Sequence, residues 1–325
     1  MKPVTVSDLT TLYSPSRDSH KGQNGKLLII GGSHLFHAAS LWALAVASRI
    51  VDLVHYSSVP ENNELVMRVK SEFRDGIVVP RHEVERYIEE DDAILIGPGM
   101  VRAEHAISNI PSTKLRAGKY QISNIRELEN MKDEGQQTAA LTNYLLRKYP
   151  AKQWVIDAGA LQMMDVALIP QNAILTPHRG EFSMLKLKMK NEKLKMEMEK
   201  KRIEDQVKEF ANVYKCIVLL KGERDVVCIG EGCEPSTMEG SHPSGSQCLV
   251  IEGGNAGMTK GGTGDVLAGL VAALACKNNP FSAALAGSFI NKKAGDALYE
   301  EVGTNFNASD LSRQIPKTMK TLHVG

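Results

Sequence analysis

Short, nearly unbroken apolar runs recur along this chain, set between longer stretches whose apolar positions follow a helical period. "KLLIIGGS" (26–33) is stopped by two glycines, and "AASLWALAVASRIV" (38–51) follows with helical spacing. "AILIGPGM" (93–100), "WVIDAGAL" (154–161), "AILTPH" (173–178) and "CIVLLKG" (216–222) repeat the form of an apolar strand ending in glycine, proline or a polar residue. Strands apolar on both faces and separated by helices predict a mostly parallel central sheet in a three-layer α/β/α sandwich. Ligands of such sheets sit outside the carboxyl ends of the strands. Gly31, Gly32, Gly97, Gly99, Asp157, His178, Lys221 and Gly222 all fall there.

Two segments break the alternation. Residues 186–210, "KLKMKNEKLKMEMEKKRIEDQVKEF", are rich in lysine and glutamate, with Leu194, Met198, Ile203, Val207 and Phe210 close to helical spacing. They predict a charged amphipathic helix with its solvated face outward; a surface for a partner or nucleic acid is the alternative. Residues 230–254 are rich in turn formers and predict a loop or hairpin arm. With neither a repeat nor a convincing linker, residues 1–325 are expected to form one domain, with 1–20 as an N-terminal extension and 186–210 as a charged helical insertion.

Charge and cysteine usage narrow the function classes. Thirty-nine Lys plus Arg against 38 Asp plus Glu leave almost no net charge, so no global field favours nucleic acid or an anionic membrane. Any anion must be held locally. Five cysteines (216, 228, 233, 248 and 276) lack CxxC or Cys/His ligand spacing, and are expected to be reduced thiols of a cytoplasmic protein. The first twenty residues have no apolar core of a signal peptide, and no run approaches 18 apolar residues, so no export and no membrane span are expected.

"NAGMTKGGTGDVLAGLVAAL" (255–274) carries the clearest chemistry. A helix starting near Gly264 offers unpaired N–H groups and partial positive charge at its first turn, which attract phosphate oxygens. Gly261, Gly262 and Gly264 let backbone approach a ligand closely. Asp265 then stands where a phosphoryl group would be transferred. It is either a helix-capping acid or a base taking the proton of an attacking hydroxyl. GxxxxGK[ST] and GxGxxG are both absent, which argues against a P-loop or a dinucleotide fingerprint.

"GGTGD" before a small-residue helix resembles the anion-hole signature of the ribokinase-like superfamily. Taken in order, "SHKGQNGKLLIIGGS", "ILIGPGM", "VIDAGAL", "ILTPHRGEF", "VLLKG" and "GNAGMTKGGTGDVLAG" resemble the nucleotide-dependent NAD(P)H-hydrate dehydratases, over about residues 20–315. The resemblance implies dehydration of (6S)-hydrated NADH or NADPH, with ADP or ATP as phosphoryl donor and Mg2+ carried by the nucleotide phosphates. Asp265 is then the catalytic base and touches the hydrate, together with Ala38, Gly99 and His178. Lys221, Gly222, Glu223, Arg224 and Asp225 match the segment contacting the nucleotide, and Gly261, Gly262, Thr263 and Gly264 the loop around its phosphates. Glu181 is given the orientation of a magnesium-bound water, with a helix first-turn acid as its alternative; Asn255 holds either phosphate or loop backbone. His178 has an alternative as a capping histidine. The resemblance further implies a homo-oligomer, commonly a tetramer, and a separate epimerase. His37, with Phe36 before it, departs from the family's frequent glycine, so that either the pocket wall is reshaped or the histidine turns away. The rivals are a small-alcohol kinase of the same fold, acting on a thiazole or hydroxymethylpyrimidine, and a non-catalytic nucleotide-binding module.

Overall fold

A computed structural model describes residues 2–102, 121–233 and 247–324. Its strands are β1 (Lys26–Ile30), β2 (Leu53–Ser57), β3 (Ile77–Val78), β4 (Ala93–Ile96), β5 (Gln153–Ile156), β6 (Ile174–Leu175), β7 (Ile217–Leu220), β8 (Asp225–Ile229) and β9 (Gln247–Ile251). They form one sheet in the order β3-β2-β1-β4-β5-β6-β7-β8-β9, parallel from β3 through β7 and antiparallel at β7-β8 and β8-β9. The helices are α1 (His37–Ala47), α2 (Pro60–Val69), α3 (Val84–Glu90), α4 (Glu134–Lys148), α5 (Ala158–Met163), α6 (Arg179–Leu187), α7 (Glu192–Glu199), α8 (Ile203–Tyr214), α9 (Thr263–Ala275), α10 (Pro280–Val302) and α11 (Ala308–Leu322).

Successive strand residues point to opposite faces, so an all-apolar strand feeds two cores. Leu27, Ile29, Leu95, Val155 and Leu219 join the core under α1, α9, α10 and α11. Leu28, Ile30, Ile94, Ile96, Trp154, Ile156 and Val218 join the other, under α3, α4, α5, α6 and α8. This is the expected three-layer sandwich with a mostly parallel sheet.

Several expectations are corrected. The 186–210 segment is not one helix: it comprises the end of α6, then α7, then the start of α8. Asn191 accepts the amide of Leu194 and restarts the chain as α7, while Arg202 is extended (φ −61°, ψ 155°) and separates α7 from α8. Its apolar residues Met198, Val207 and Phe210 are fully buried, so periodicity identified the inward face but not the breaks. The N-terminal extension packs onto the domain: Val4 and Leu9 enter the core and the Val4 amide donates to Val250 O at 2.9 Å. The hairpin arm expected over 230–254 contains β9, paired with β8; residues 234–246 lie outside the described residues.

The cysteine expectation is overturned at two positions. Cys228 and Cys248 form a disulfide. They are 20 residues apart in sequence, but the antiparallel register sets them directly opposite with Cα atoms 4.2 Å apart, a pairing that spacing rules do not capture. Cys216, Cys233 and Cys276 remain free thiols, and burial pushes the pKa of all three upward. Among the described residues, no helix is long and apolar enough to cross a membrane.

Candidate active site

The carboxyl ends of β1, β4, β5, β6 and β7 open on one edge of the sheet, and the loops leaving them interlock. Gly32 N donates to Pro98 O at 2.7 Å, tying the loop after β1 to the loop after β4. Gly97 has φ 126°, and a Cβ there would fall 1.8 Å from Asp157 O, so the loop after β5 closes against it only because position 97 is glycine. Gly99 packs beside the Phe36 carbonyl and Ala39, at the start of α1.

Among the described residues, α1, α9, α5 and α6 are helices that begin at this edge. In one layer, the Trp42 ring lies against Gly262 and the backbone of Ala43 against Gly269, so α1 and α9 run parallel and start at the same mouth. In the other layer, α5 starts directly after Asp157 and α6 directly after His178. Their first-turn N–H groups make the mouth favourable for anions.

The anion loop is held from below. Gly262 caps α9 with φ 94°, where an added Cβ would meet Trp42 ring carbons at 2.3 Å. Thr263 Oγ1 donates to Met258 O at 2.6 Å and Lys260 O at 2.9 Å, so its hydroxyl fixes the loop. Asn255 Oδ1 accepts the Gly257 amide of the loop and its Nδ2 donates to Gly295 O in α10, each at 2.9 Å. Gly261 faces open space.

Above the loop lies a charged cluster. Lys221 Nζ donates to Asp157 Oδ1 at 2.8 Å, and Thr176 Oγ1 donates to the same oxygen at 2.8 Å. A Cβ built on Gly264 would stand 3.5 Å from Lys221 Nζ, which places the ammonium at the first turn of α9. Burial works against that charge, but Asp157, Glu181 and Asp265 outweigh it and hold its pKa above the usual lysine value. Burial, reinforced by the negative charges of Asp157 and Glu181 and opposed by Lys221, pushes Asp265 from 3.8 up to about 7. A carboxyl poised near neutrality can exchange a proton with a substrate hydroxyl at physiological pH.

A family model described as NAD(P)H-hydrate dehydratase matches residues 129–317. The chain belongs to this family. It is 30% identical over 322 residues to the ADP-dependent (S)-NAD(P)H-hydrate dehydratase of Cenarchaeum symbiosum, covering 94% of this chain and 92% of that one. It is 33% identical over 319 residues to the bifunctional NAD(P)H-hydrate repair enzyme of Methanocaldococcus jannaschii, covering 98% of this chain and 52% of the relative. The chain thus spans about half the length of the bifunctional relatives it matches. Among solved structures, the Bacillus subtilis ADP/ATP-dependent NAD(P)H-hydrate dehydratase co-crystallised with ATP/Mg2+ shares the fold, with a TM-score of 0.68, 21% identity, and 99% and 98% of the two chains covered.

The dehydratase fold distributes the sequence-predicted residues unevenly. Asp265, Gly264, Lys221 and Glu181 come together in the charged cluster. Ala38 is exposed in the first turn of α1, next to the loop that carries Gly99. His178 caps α6: its Nδ1 accepts the amides of Gly180 and Glu181 at 3.0 and 3.2 Å, fixing the proton on Nε2, while the side chain stays 59% exposed toward solvent. Glu181 completes the capping box by accepting the His178 amide at 2.9 Å and is further held by Gln162. His37 turns to Asn62, its Nδ1 3.0 Å from Asn62 Oδ1.

The 221–225 segment divides. Gly222, Glu223 and Arg224 are exposed, whereas Asp225 is 4% exposed and faces inward, accepting the Gly222 amide at 2.8 Å and the Ser288 hydroxyl at 2.7 Å. Its carboxylate shapes the turn and is not presented to a ligand. Sequence reading missed Lys292, which is buried and donates to Gly222 O, Glu223 O and Gly253 O at 3.0–3.1 Å. Mid-helix in α10, Lys292 carried no local signal. The sequence places Asp157 at a strand end without indicating its task, which is to anchor Lys221.

Proposed function

We propose that this chain dehydrates (6S)-hydrated NADH or NADPH, using ADP or ATP to phosphorylate the C6 hydroxyl and then expelling phosphate. Hydroxide is a poor leaving group, as the pKa of water, about 15.7, indicates. Phosphate, with a second pKa near 6, leaves far more readily. The observation that carries the reading is Asp265, a carboxyl with pKa about 7 at the first turn of α9, beside the Lys221 ammonium.

Ionised Asp265 takes the C6 hydroxyl proton as that oxygen attacks the terminal phosphorus of the donor. The shortened nucleotide leaves with the electrons of the broken P–O bond. Lys221 and the N–H groups of Gly264 and its neighbours hold phosphate oxygens and stabilise the charge that spreads over them. The adjacent ring nitrogen then pushes electrons toward C6, the C6–O bond breaks, phosphate departs, and loss of a C5 proton restores the double bond. Ala38 and Gly99 leave room for the nicotinamide ring, and the exposed Nε2–H of His178 donates to the hydrate.

No group of three or more His, Cys, Asp or Glu positioned to hold a metal exists among the described residues. We infer that Mg2+ arrives on the nucleotide phosphates, with Glu181 as the residue that would hold one of its waters. Bound there, the ion supplies countercharge to the transferring phosphoryl group.

The test follows absorbance of the dihydronicotinamide band with hydrated NADH, Mg2+ and ADP or ATP. Recovery of the band in wild type and its loss in Asp265→Asn is the expected result. A flat band with a stable phosphorylated thiazole or pyrimidine alcohol would instead make the chain a small-alcohol kinase.

A further inference from the structure

Helix α5 holds the charged cluster at two points. Asp157, immediately before its first residue, anchors Lys221, and Gln162, near its end, reaches Glu181. The Gln162 amide has a defined orientation: its Nε2 donates to Glu181 Oε1 at 3.1 Å, and its Oε1 accepts Arg102 Nη1 at 3.4 Å. A carboxylate only accepts and a guanidinium only donates, so the reversed amide would lose both bonds. Lys188 Nζ donates to the Gln162 carbonyl and to Met164 O, fastening the end of α5 to the end of α6.

Glu181 is 5% exposed, so its charge needs fixed partners. Its Oε2 accepts the His178 amide at 2.9 Å, and the bond from Gln162 is the only side-chain hydrogen bond that Glu181 makes among the described residues. Lys221 runs alongside the entry to α6: its amide donates to Pro177 O at 2.8 Å and it forms a β-bridge with His178. Glu181 nevertheless acts on the Lys221 ammonium only through longer-range charge, and among the described residues that ammonium is ion-paired with Asp157 alone. An ammonium has three N–H donors. Asp157 takes one, which leaves the others at the first turn of α9 for an arriving anion.

We propose that Gln162 is a positioning residue that holds Glu181 away from Lys221, so that the remaining donors of the ammonium stay free for the phosphates of the donor nucleotide. The inference rests on the nucleotide-dependent reading of the site. Without the Gln162 amide, the buried Glu181 Oε1 would lose its donor, and pairing with Lys221 restores one. Two carboxylates would then share the ammonium, and a phosphate would have to displace one of them. Gln162 itself touches neither nucleotide nor hydrate in this scheme.

The test measures the Kd of ADP and of ATP, each with Mg2+ and without hydrate, by titration calorimetry in wild type, Gln162→Leu, Glu181→Gln and the double variant. Gln162→Leu is expected to weaken nucleotide binding about tenfold, the scale of one charge-assisted hydrogen bond. In the Glu181→Gln background a neutral amide has no charge to bring to Lys221, and the same Gln162→Leu replacement should leave Kd within about twofold. An unmoved Kd in folded Gln162→Leu, or an equal loss in both backgrounds, overturns the proposal, because a merely structural role does not depend on the charge at position 181. If Gln162→Leu does not fold, Gln162→Met, which keeps the side-chain length without the amide, takes its place; failure of both to fold makes the residue structural and overturns the proposal as well. Binding is read without turnover, so tight nucleotide binding with no dehydration of the hydrate refutes the dehydratase reading while Gln162 is still judged on Kd. Wild type that binds neither nucleotide refutes both.

Discussion

Replacing Asp265 by asparagine is expected to make the protein more stable and inactive, with the stability gain growing from about pH 4 and complete above about pH 7. Asp265 titrates near 3.8 in an unfolded chain and at about 7 in the native state. Between those values the native state holds a proton that the unfolded state has released, so stability falls as pH rises through this window. Three units at 1.36 kcal/mol each set an upper bound of about 4 kcal/mol, fully expressed above pH 7 and absent below pH 4. Asp265 keeps some contact with solvent, which reduces the expected gain in Asp265→Asn to about 2 kcal/mol at pH 8, a rise in Tm of roughly 4 °C or more. Loss of the base lowers kcat by about 10²–10⁴-fold. Urea unfolding at pH 4 and pH 8, run beside the dehydration assay, measures both. Equal stability of the two proteins at pH 8, or a less stable variant there, would refute the claim that the site holds this carboxylate at a cost to the fold.

Three other substitutions probe the support of the site. Gly262→Ala forces a Cβ to 2.3 Å from the Trp42 ring and 2.7 Å from Ala308 at a positive φ, and should cost more than about 2 kcal/mol in thermal unfolding together with most activity. Lys292→Met removes a buried ammonium from three carbonyls and from Asp225, 3.4 Å away. It should raise the KM for nucleotide more than the KM for hydrate, because the 222–225 turn loses its anchor. Cys228→Ser with Cys248→Ser opens a loop of 20 residues and should lower stability by about 3 kcal/mol in chemical denaturation, with kcat at 25 °C largely kept.

The architecture was legible because each long central strand is apolar on both faces and ends in glycine or a polar residue. Leu27 to Ile30 feed two cores within four residues, and that pattern has one common solution. The anion loop was legible because GGTGD combines chain-bending residues, helix start and acid within five positions. What escaped depends on tertiary register. The partner of Cys228 is set by which residue faces it across β8-β9, and the buried task of Lys292 by the side of α10 that meets the 222–225 turn. Asp225 shows the opposite case, where matching a nucleotide-contacting segment assigned an outward task to a carboxylate that folding turns inward. Local sequence cannot express that choice, because both orientations satisfy the same turn.

The charge balance of the cluster links the fold to the proposed chemistry. Asp157, Glu181 and Asp265 stand around the ammonium of Lys221, so the resting site already has more carboxylates than cations. Asp157 is 1% exposed and is paired with Lys221, while burial and the neighbouring carboxylates raise the Asp265 pKa to about 7. Nucleotide phosphates alone would add negative charge beside Asp265 and strengthen its hold on a proton, opposing its action as a base. The helix N-termini at the mouth oppose that effect, favouring the ionised form.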